Sequence, residues 1–161
     1  MKINSKTLGV LLIVILFGGI VASSYMNMWI TESTKTPDRI EEGVSTGEYD
    51  PEDIKGSFSF GEVSELFDIP IEDLAIAFGL PEGTDVANFK NKELETIYEG
   101  QEFEIGNGSV KFFVALYKGL PYELNEDTYL LVNAVEILKE KSNLTNNQIE
   151  YLDSHTIDLE K

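Results

Sequence analysis

The chain contains no cysteine and only one histidine, His155. Without cysteine it forms no disulfide, and it offers no thiolate to an iron–sulfur cluster, a zinc site or a covalently attached haem. A single imidazole cannot build a multi-histidine metal site or a bis-histidine haem site. We therefore expect no cofactor and no metal centre, and we expect the fold to depend on its hydrophobic core alone.

Charge is missing from residues 8–30, and no acidic residue precedes Glu32. The hydrocarbon core of a bilayer is roughly 30 Å thick and needs about 20 apolar residues of helix, so this segment is predicted to be a transmembrane anchor. Lys2 and Lys6 precede it. The positive-inside rule then places residues 1–7 in the cytoplasm and everything after the anchor on the extracytoplasmic side of the cell membrane.

A cleaved signal peptide is the alternative for the same segment. Residues 8–22 would form its apolar core, and the small residues Ala22, Ser23 and Ser24 would form a weak cleavage site. Apolar residues resume at positions 25–30, which a signal peptide does not need, so we favour an uncleaved anchor. In both interpretations the rest of the chain is exported.

Basic residues are few after the apolar segment. All 29 acidic residues but only ten of the twelve basic residues follow residue 31, so this part of the chain has a net charge of −19. Such a surface repels nucleic acid and anionic lipid headgroups, and it favours cations and basic partners. We expect contact with the membrane through the N-terminal helix, a membrane or extracytoplasmic protein as partner, and no nucleic acid.

Composition divides the exported part into a linker and a folded region. Residues 31–49 are rich in Thr, Ser, Gly and Glu and lack apolar periodicity, which predicts a flexible tether. The remaining sequence predicts an all-α fold. We expect a three-helix module over residues 50–99, with a helix-turn-helix-like first half, and a second helical module over residues 100–161 that packs on the first.

Capping signals define the helices of the first module. Residues 59–62, Ser-Phe-Gly-Glu, match the capping-box pattern at a helix start, and Pro70 separates that helix from the next. Gly79 is placed as a left-handed cap at the end of the second helix. The apolar spacing of the following segment predicts a third helix over Val86–Tyr98.

The segment after the third helix allows two structures. Ser109 is placed to cap a helix over Val110–Lys118, whereas residues 102–105 and 110–116 would pair as a β-hairpin around a Gly-Asn-Gly turn. We favour the helix, because a Gly-Leu-Pro stop signal follows at residues 119–121, as it does after the second helix.

Two further helices are predicted near the C-terminus. Asp127–Lys141 has the strongest helical pattern, with apolar residues on one side and two lysines in its last turn. Residues 145–148, Thr-Asn-Asn-Gln, form a second capping box that leads into a short final helix.

Candidate contact residues come from the tyrosines and from the helix-turn-helix-like pair. Tyr117, Tyr122 and Tyr129 are expected to be partly exposed, and tyrosine is enriched in protein interfaces. The second helix of the pair offers only Glu72 and Asp73 as polar groups, whereas a DNA-reading helix needs Arg, Lys, Asn or Gln. The same helical arrangement serves as a protein-docking scaffold, so both acids are candidate partner contacts.

Neighbouring carboxylates occur at four places: Glu41-Glu42, Asp50-Glu52-Asp53, Glu72-Asp73 and Glu126-Asp127. General acid–base catalysis needs two carboxyl groups that converge in a cleft with different pKa values, and no sequence context predicts this here. We therefore name no catalytic residue. Asp50, Glu52 and Asp53 alternate as calcium ligands do, but the EF-hand spacing is absent, and a charged helix start is the preferred interpretation.

Much of the exported part shares a distinctive pattern. Residues 47–81 read G-E-Y-D-P-E-D-I-K-G-S-F-S-F-G-E-V-S-E-L-F-D-I-P-I-E-D-L-A-I-A-F-G-L-P, and residues 89–95, 110–123, 134–141, 144–145 and 148–152 extend it. The pattern resembles the small helical module that accompanies membrane-bound, ferredoxin-like iron–sulfur redox proteins of bacteria and archaea. This chain differs from the redox members in lacking every cysteine. The resemblance therefore implies a place beside a membrane redox complex rather than electron transfer by this polypeptide.

These features predict a membrane-anchored, extracytoplasmic accessory or protein-interaction module that is not an enzyme. The resemblance adds an association with a membrane redox complex. The alternative functions are an exported, carboxylate-dependent enzyme and a helix-turn-helix DNA-binding regulator.

Overall fold

The computed structural model describes residues 36–124 and 128–159, together with Gly9, Phe17 and Gly18, which are helical. The compact unit described below begins at residue 36. Apart from those three residues, the predicted anchor and the N-terminal residues before it lie outside the described part. Among the described residues, no helix combines the length and the apolar character that crossing a bilayer requires.

The first two helices begin and end where their local signals place them. Helix α1 spans Phe60–Phe67, with Ser59 and Glu62 forming the predicted capping box. Helix α2 spans Ile71–Ala77 and is followed by Gly79 in the left-handed region, with φ of +53°. The predicted helix-turn-helix-like order is therefore present, since only three residues separate α1 from α2.

The predicted helix over Val86–Tyr98 is shorter than expected. A 3-10 turn at Asn91–Glu93 leads into helix α3, Leu94–Ile97. The residues before this turn are not helical because their carbonyl groups serve the start of α1: the backbone N–H of Phe60 donates to Phe89, and that of Gly61 donates to Ala87. They thereby satisfy N–H groups that have no partner within α1.

Helix α4, Asn107–Lys118, resolves the choice between helix and hairpin in favour of the helix. It begins three residues before the predicted start, and Gly106 rather than Ser109 is its N-cap. The Ser109 hydroxyl instead accepts a hydrogen bond from the Gly106 backbone N–H, at 3.4 Å. Gly119 ends the helix in the left-handed conformation, as its stop signal predicted.

The helix predicted over Asp127–Lys141 begins later than expected. Helix α5 spans Val132–Lys141, and strand β1, Leu130–Leu131, precedes it. Asp127 itself lies outside the described residues. β1 is extended because it pairs in parallel with strand β2, Thr156–Ile157, and the Leu130 N–H donates to the carbonyl of His155. Strand pairing thus replaces the first turns of the predicted helix.

The final helix, α6, spans Asn146–Ser154 and starts at the predicted capping box of Thr145 and Gln148. The described part of the chain is therefore predominantly helical, as expected, with one short pair of strands in addition.

The folded unit starts at residue 36, within the segment predicted to be a tether. Arg39 and Tyr49 form an antiparallel bridge, and the Arg39 guanidinium lies 4.2 Å from the centre of the Tyr49 ring. Ile40 and Tyr49 also pack against the core. Residues 36–49 therefore belong to the folded unit because these contacts close the segment on itself and attach it to the helices.

One hydrophobic core joins the two predicted helical modules. The ring centre of Phe78, which follows α2, lies 5.6 Å from that of Phe60 in α1 and 5.7 Å from that of Phe113 in α4. All three side chains are fully buried. Aromatic pairs at these distances add to the stabilisation from burial alone, so the modules share their central packing.

Candidate interaction surface

Asp73, one of the predicted partner contacts, lies inside the fold. It is 6% exposed. Its two carboxylate oxygens accept hydrogen bonds from Lys141 Nζ at 2.7 and 2.8 Å, and one of them also accepts from the Tyr117 hydroxyl at 2.7 Å. The group links α2, α4 and α5. These hydrogen bonds supply the buried carboxylate with partners from the same chain, so the cluster has a structural role.

Tyr117 is half-buried and takes part in this cluster. Desolvation by burial, followed by the hydrogen bond to Asp73, raises the pKa of Tyr117 to about 12. The phenol is therefore a hydrogen-bond donor at neutral pH rather than a base. Glu72, the neighbour of Asp73 on α2, points outward and is exposed.

The other two predicted tyrosines are also half-buried. Tyr122 packs against Phe112 with 5.4 Å between ring centres, and burial raises the pKa of Tyr122. Tyr129 stacks on the partly exposed Phe103, with 3.9 Å between ring centres and 16° between ring planes. Each tyrosine thus offers only part of its ring to solvent, and the structure does not gather the five predicted contact residues into one site.

His155 has a structural setting at the end of α6. Its ring is stacked on Tyr151, with 3.9 Å between ring centres, and its Nδ1 lies 2.8 Å from the Ser154 hydroxyl and 2.9 Å from the Tyr151 carbonyl oxygen. The Ser154 hydroxyl also donates to helix carbonyl groups, including that of Tyr151 at 2.9 Å. This hydroxyl therefore takes part in the hydrogen bonding of a helix end, which is a structural role.

The acidic residues considered for calcium serve as backbone acceptors. The Asp50 carboxylate accepts from the Glu52 N–H at 2.9 Å, and that of Asp53 accepts from the Asp38 N–H at 2.9 Å. Within the described ranges, no three or more His, Cys, Asp and Glu side chains come together in a group suited to a metal ion. The preferred interpretation of these acids as a charged helix start fits this geometry, since Asp50 is the N-cap of a 3-10 turn over Pro51–Asp53.

A groove that the sequence did not predict lies beside the strand pair. We call it the Tyr98 groove; its volume is about 460 Å³, and it is lined by Gly79, Tyr98, Leu131, Val132, Asn133, Ile157, Asp158 and Leu159. Val132 and Leu159 are 37% and 43% exposed, so apolar side chains reach the surface here. The size falls within the usual range of ligand pockets.

Tyr98 forms a fixed wall of this groove. Its hydroxyl donates to the carbonyl of Phe78 at 2.7 Å, and only 8% of the residue is exposed. A Cβ atom at Gly79 would lie 3.1 Å from that hydroxyl oxygen, and the φ of +53° at this position also favours glycine. The helix stop signal at residue 79 thus also makes room for the groove.

A second cavity adjoins the first and shares Tyr98 with it. We call it the glutamate cavity; its volume is about 440 Å³, and it is lined by Glu95, Tyr98, Glu99, Gly100, Gln101, Glu102, Phe103, Glu104 and Ile105. One sequence signal for it existed: five glutamates and no basic residue lie between Lys92 and Lys111. All the lining residues of this cavity lie between positions 95 and 105.

Comparison with known proteins gives no relative: the chain matches no family model, and neither the curated proteins nor the solved structures show a match.

Proposed function

We propose that this chain is a membrane-tethered, extracytoplasmic interaction module that binds a protein partner. The Tyr98 groove is the observation that carries the proposal, because it combines exposed apolar side chains with a rigid wall at the surface of the folded unit. A concave surface of this volume, with apolar lining residues and a few polar ones, is typical of sites where proteins bind ligands. The uncharged segment before the folded unit supports the tether and its orientation.

The carboxylates support binding rather than chemistry. Asp73 is fully engaged with Tyr117 and Lys141, and Asp50 and Asp53 accept from backbone N–H groups. General acid–base catalysis would instead need a pair of carboxyl groups that share a cleft and differ in pKa. The exposed charge of α2 is the acid Glu72, which disfavours contact with a phosphate backbone.

The resemblance to a module of membrane redox proteins supports a narrower form of the proposal. In that form, the partner belongs to a membrane electron-transfer complex, and the cysteine-free chain holds no redox centre itself. Copurification in a mild detergent tests this form. Recovery of an iron–sulfur or cytochrome subunit supports it, and recovery of a partner without redox centres contradicts it.

Photo-crosslinking tests the interaction itself. A photoreactive residue is placed at Val132 in the Tyr98 groove or, as the control, at Val44, which is fully exposed in the loop at residues 41–47. We expect a discrete crosslinked protein from position 132 in intact cells and none from position 44. No product, or the same products from both positions, would contradict the proposal.

Protease added to intact cells tests the orientation separately. Digestion of the folded unit is expected if it lies outside the membrane. Protection in intact cells, followed by digestion after lysis, would place it inside and contradict the proposed topology.

A further inference from the structure

We infer that the occupant of the Tyr98 groove is a basic, amphipathic segment of the partner protein. An apolar side chain of that segment would enter the groove, and a neighbouring Lys or Arg would lie over the glutamate cavity. This inference rests on the proposed interaction function and specifies the chemistry of its partner.

The two cavities are neighbours, because Tyr98 lines both. The apolar lining of the Tyr98 groove comes from Leu131, Val132, Ile157 and Leu159. The glutamate cavity next to it is lined by four glutamates. An occupant that spans both cavities therefore needs an apolar group next to a polar or charged one.

The carboxylates of the glutamate cavity determine which charge the occupant carries. Glu95, Glu99, Glu102 and Glu104 are all exposed, and no lysine or arginine in the described part of the chain forms an ion pair with any of them. Four carboxylates around one concave surface create an unbalanced negative potential, which attracts cations and orients a charged ligand.

The same charge disfavours the other occupants. A second copy of this chain would bring a further 29 acidic residues against only 12 basic ones. An anionic lipid headgroup or a nucleic acid would meet similar repulsion. A basic polypeptide gains both charge complementarity and apolar burial, so it fits the surface better than these alternatives.

Short labelled peptides test the inference on the full chain in a neutral detergent, with fluorescence anisotropy as the readout. The probes are a pentapeptide of three lysines and two leucines, its counterpart with glutamate in place of lysine, and its counterpart with serine in place of leucine. Empty micelles provide the background for each probe. We expect the lysine–leucine peptide to bind more tightly than both counterparts, and rising salt to weaken it.

Two double variants, each of which removes two negative charges, distinguish binding at this surface from general electrostatic attraction. Glu99→Gln with Glu102→Gln is expected to weaken binding of the lysine–leucine peptide by about three- to tenfold, because two exposed ion pairs of modest strength are lost. Glu41→Gln with Glu42→Gln, on an exposed loop, is the control and should change affinity less than about twofold. Equal weakening by both pairs would overturn the inference.

Val132→Ser tests the apolar side of the surface. It should remove the preference for leucine over serine in the peptide while leaving the contribution of lysine in place. An unchanged preference, or equal binding of the glutamate–leucine peptide to the unaltered chain, would overturn the inference. A Val132-dependent dimer in sedimentation would identify a second copy as the occupant and would also overturn it.

Failure of this inference is distinguishable from failure of the proposed function. If the peptides do not bind but the crosslink from position 132 persists, the partner is not basic and the interaction function stands. If both are lost, the interaction function fails as well.

Discussion

The Nζ atom of Lys141 lies 2.7 and 2.8 Å from the two carboxylate oxygens of Asp73, although 68 residues separate them in the sequence. Asp73 is almost fully buried, whereas the Lys141 side chain keeps 39% of its surface exposed. Tyr117 completes the cluster from a third helix. This arrangement ties α2, α4 and α5 together, and it leads to two predictions.

Tyr117→Phe should lower the free energy of unfolding by about 1.5 kcal/mol, the lower end of the range for a hydrogen bond to a charged group. The low end applies because the tyrosine is only half-buried and water can reach part of the cluster. Urea unfolding of the full chain provides the measurement. An unchanged midpoint would show that the hydroxyl contributes nothing to stability.

The same cluster predicts a decline of stability at high pH. The pKa of Tyr117 is raised from 10.0 to about 12 in the folded chain. The unfolded chain therefore loses this proton first, so the stabilising contribution is complete below pH 10 and disappears as the pH rises through 12. An absorbance titration of tyrosinate should show a late transition whose amplitude Tyr117→Phe reduces by the contribution of one tyrosine. Identical titration curves for the two proteins would contradict the assignment.

Two glycines in equivalent positions provide a matched test of packing. Gly61 and Gly108 are each the second residue of a helix. A Cβ at Gly61 would lie 2.6 Å from the Ala87 carbonyl oxygen, whereas one at Gly108 would have no neighbour within 4 Å. Gly61→Ala should destabilise by about 1–3 kcal/mol.

Gly108→Ala should instead stabilise by about 0.5–1 kcal/mol, because alanine favours the helix and meets no obstacle. Thermal unfolding of the two variants in parallel gives the comparison. Similar shifts in the same direction would indicate that the carbonyl of Ala87 can move away from a side chain at position 61.

The hydrogen bonds of the Asn91 side chain allow a test of how much they contribute to the free energy of unfolding. Asn91 is fully buried and donates to the Lys55 carbonyl at 3.4 Å and to Asn107 Oδ1 at 3.3 Å. Asn91→Ala should lower the free energy of unfolding by about 1–3 kcal/mol, since two partly buried acceptors lose their donor. Asn88→Ala, at an exposed position, should change it by less than about 0.5 kcal/mol. Equal effects in urea unfolding would contradict a specific role for Asn91.

Local sequence signals predicted the helix ends that depend on nearby atoms. The Ser59–Glu62 and Thr145–Gln148 capping boxes close within three residues, and Gly119 ends α4 through its own backbone conformation. Such signals do not depend on the rest of the fold. They therefore identified α1, α4 and α6 correctly, with an error of three residues at the start of α4.

The errors occur where a distant segment competes for the backbone. The helical pattern before Asn91 yields to hydrogen bonds with the start of α1, and the pattern before Val132 yields to pairing with β2. Apolar periodicity indicates which side chains are buried, but it does not indicate which groups form hydrogen bonds with the backbone N–H and carbonyl groups. The sequence of each segment alone therefore predicted a helix that the distant segment prevents.

The candidate contacts show the same limit. Glu72 and Asp73 are consecutive acids on one short helix, yet the first is exposed and the second is enclosed. Only the position of Lys141 in the fold distinguishes them. The Tyr98 groove likewise combines residues from four distant parts of the chain, so no local sequence pattern predicted it.

The pairing of β1 with β2 also has a consequence for the timing of folding. Residues that line the groove extend from Gly79 to Leu159, so most of the polypeptide must have been synthesised before the groove can form. Contacts between such distant residues are established late, after the local helices. A nascent chain halted before Thr156 would lack the strand that borders the groove, so under the proposed function the partner would engage only molecules whose translation has passed that point.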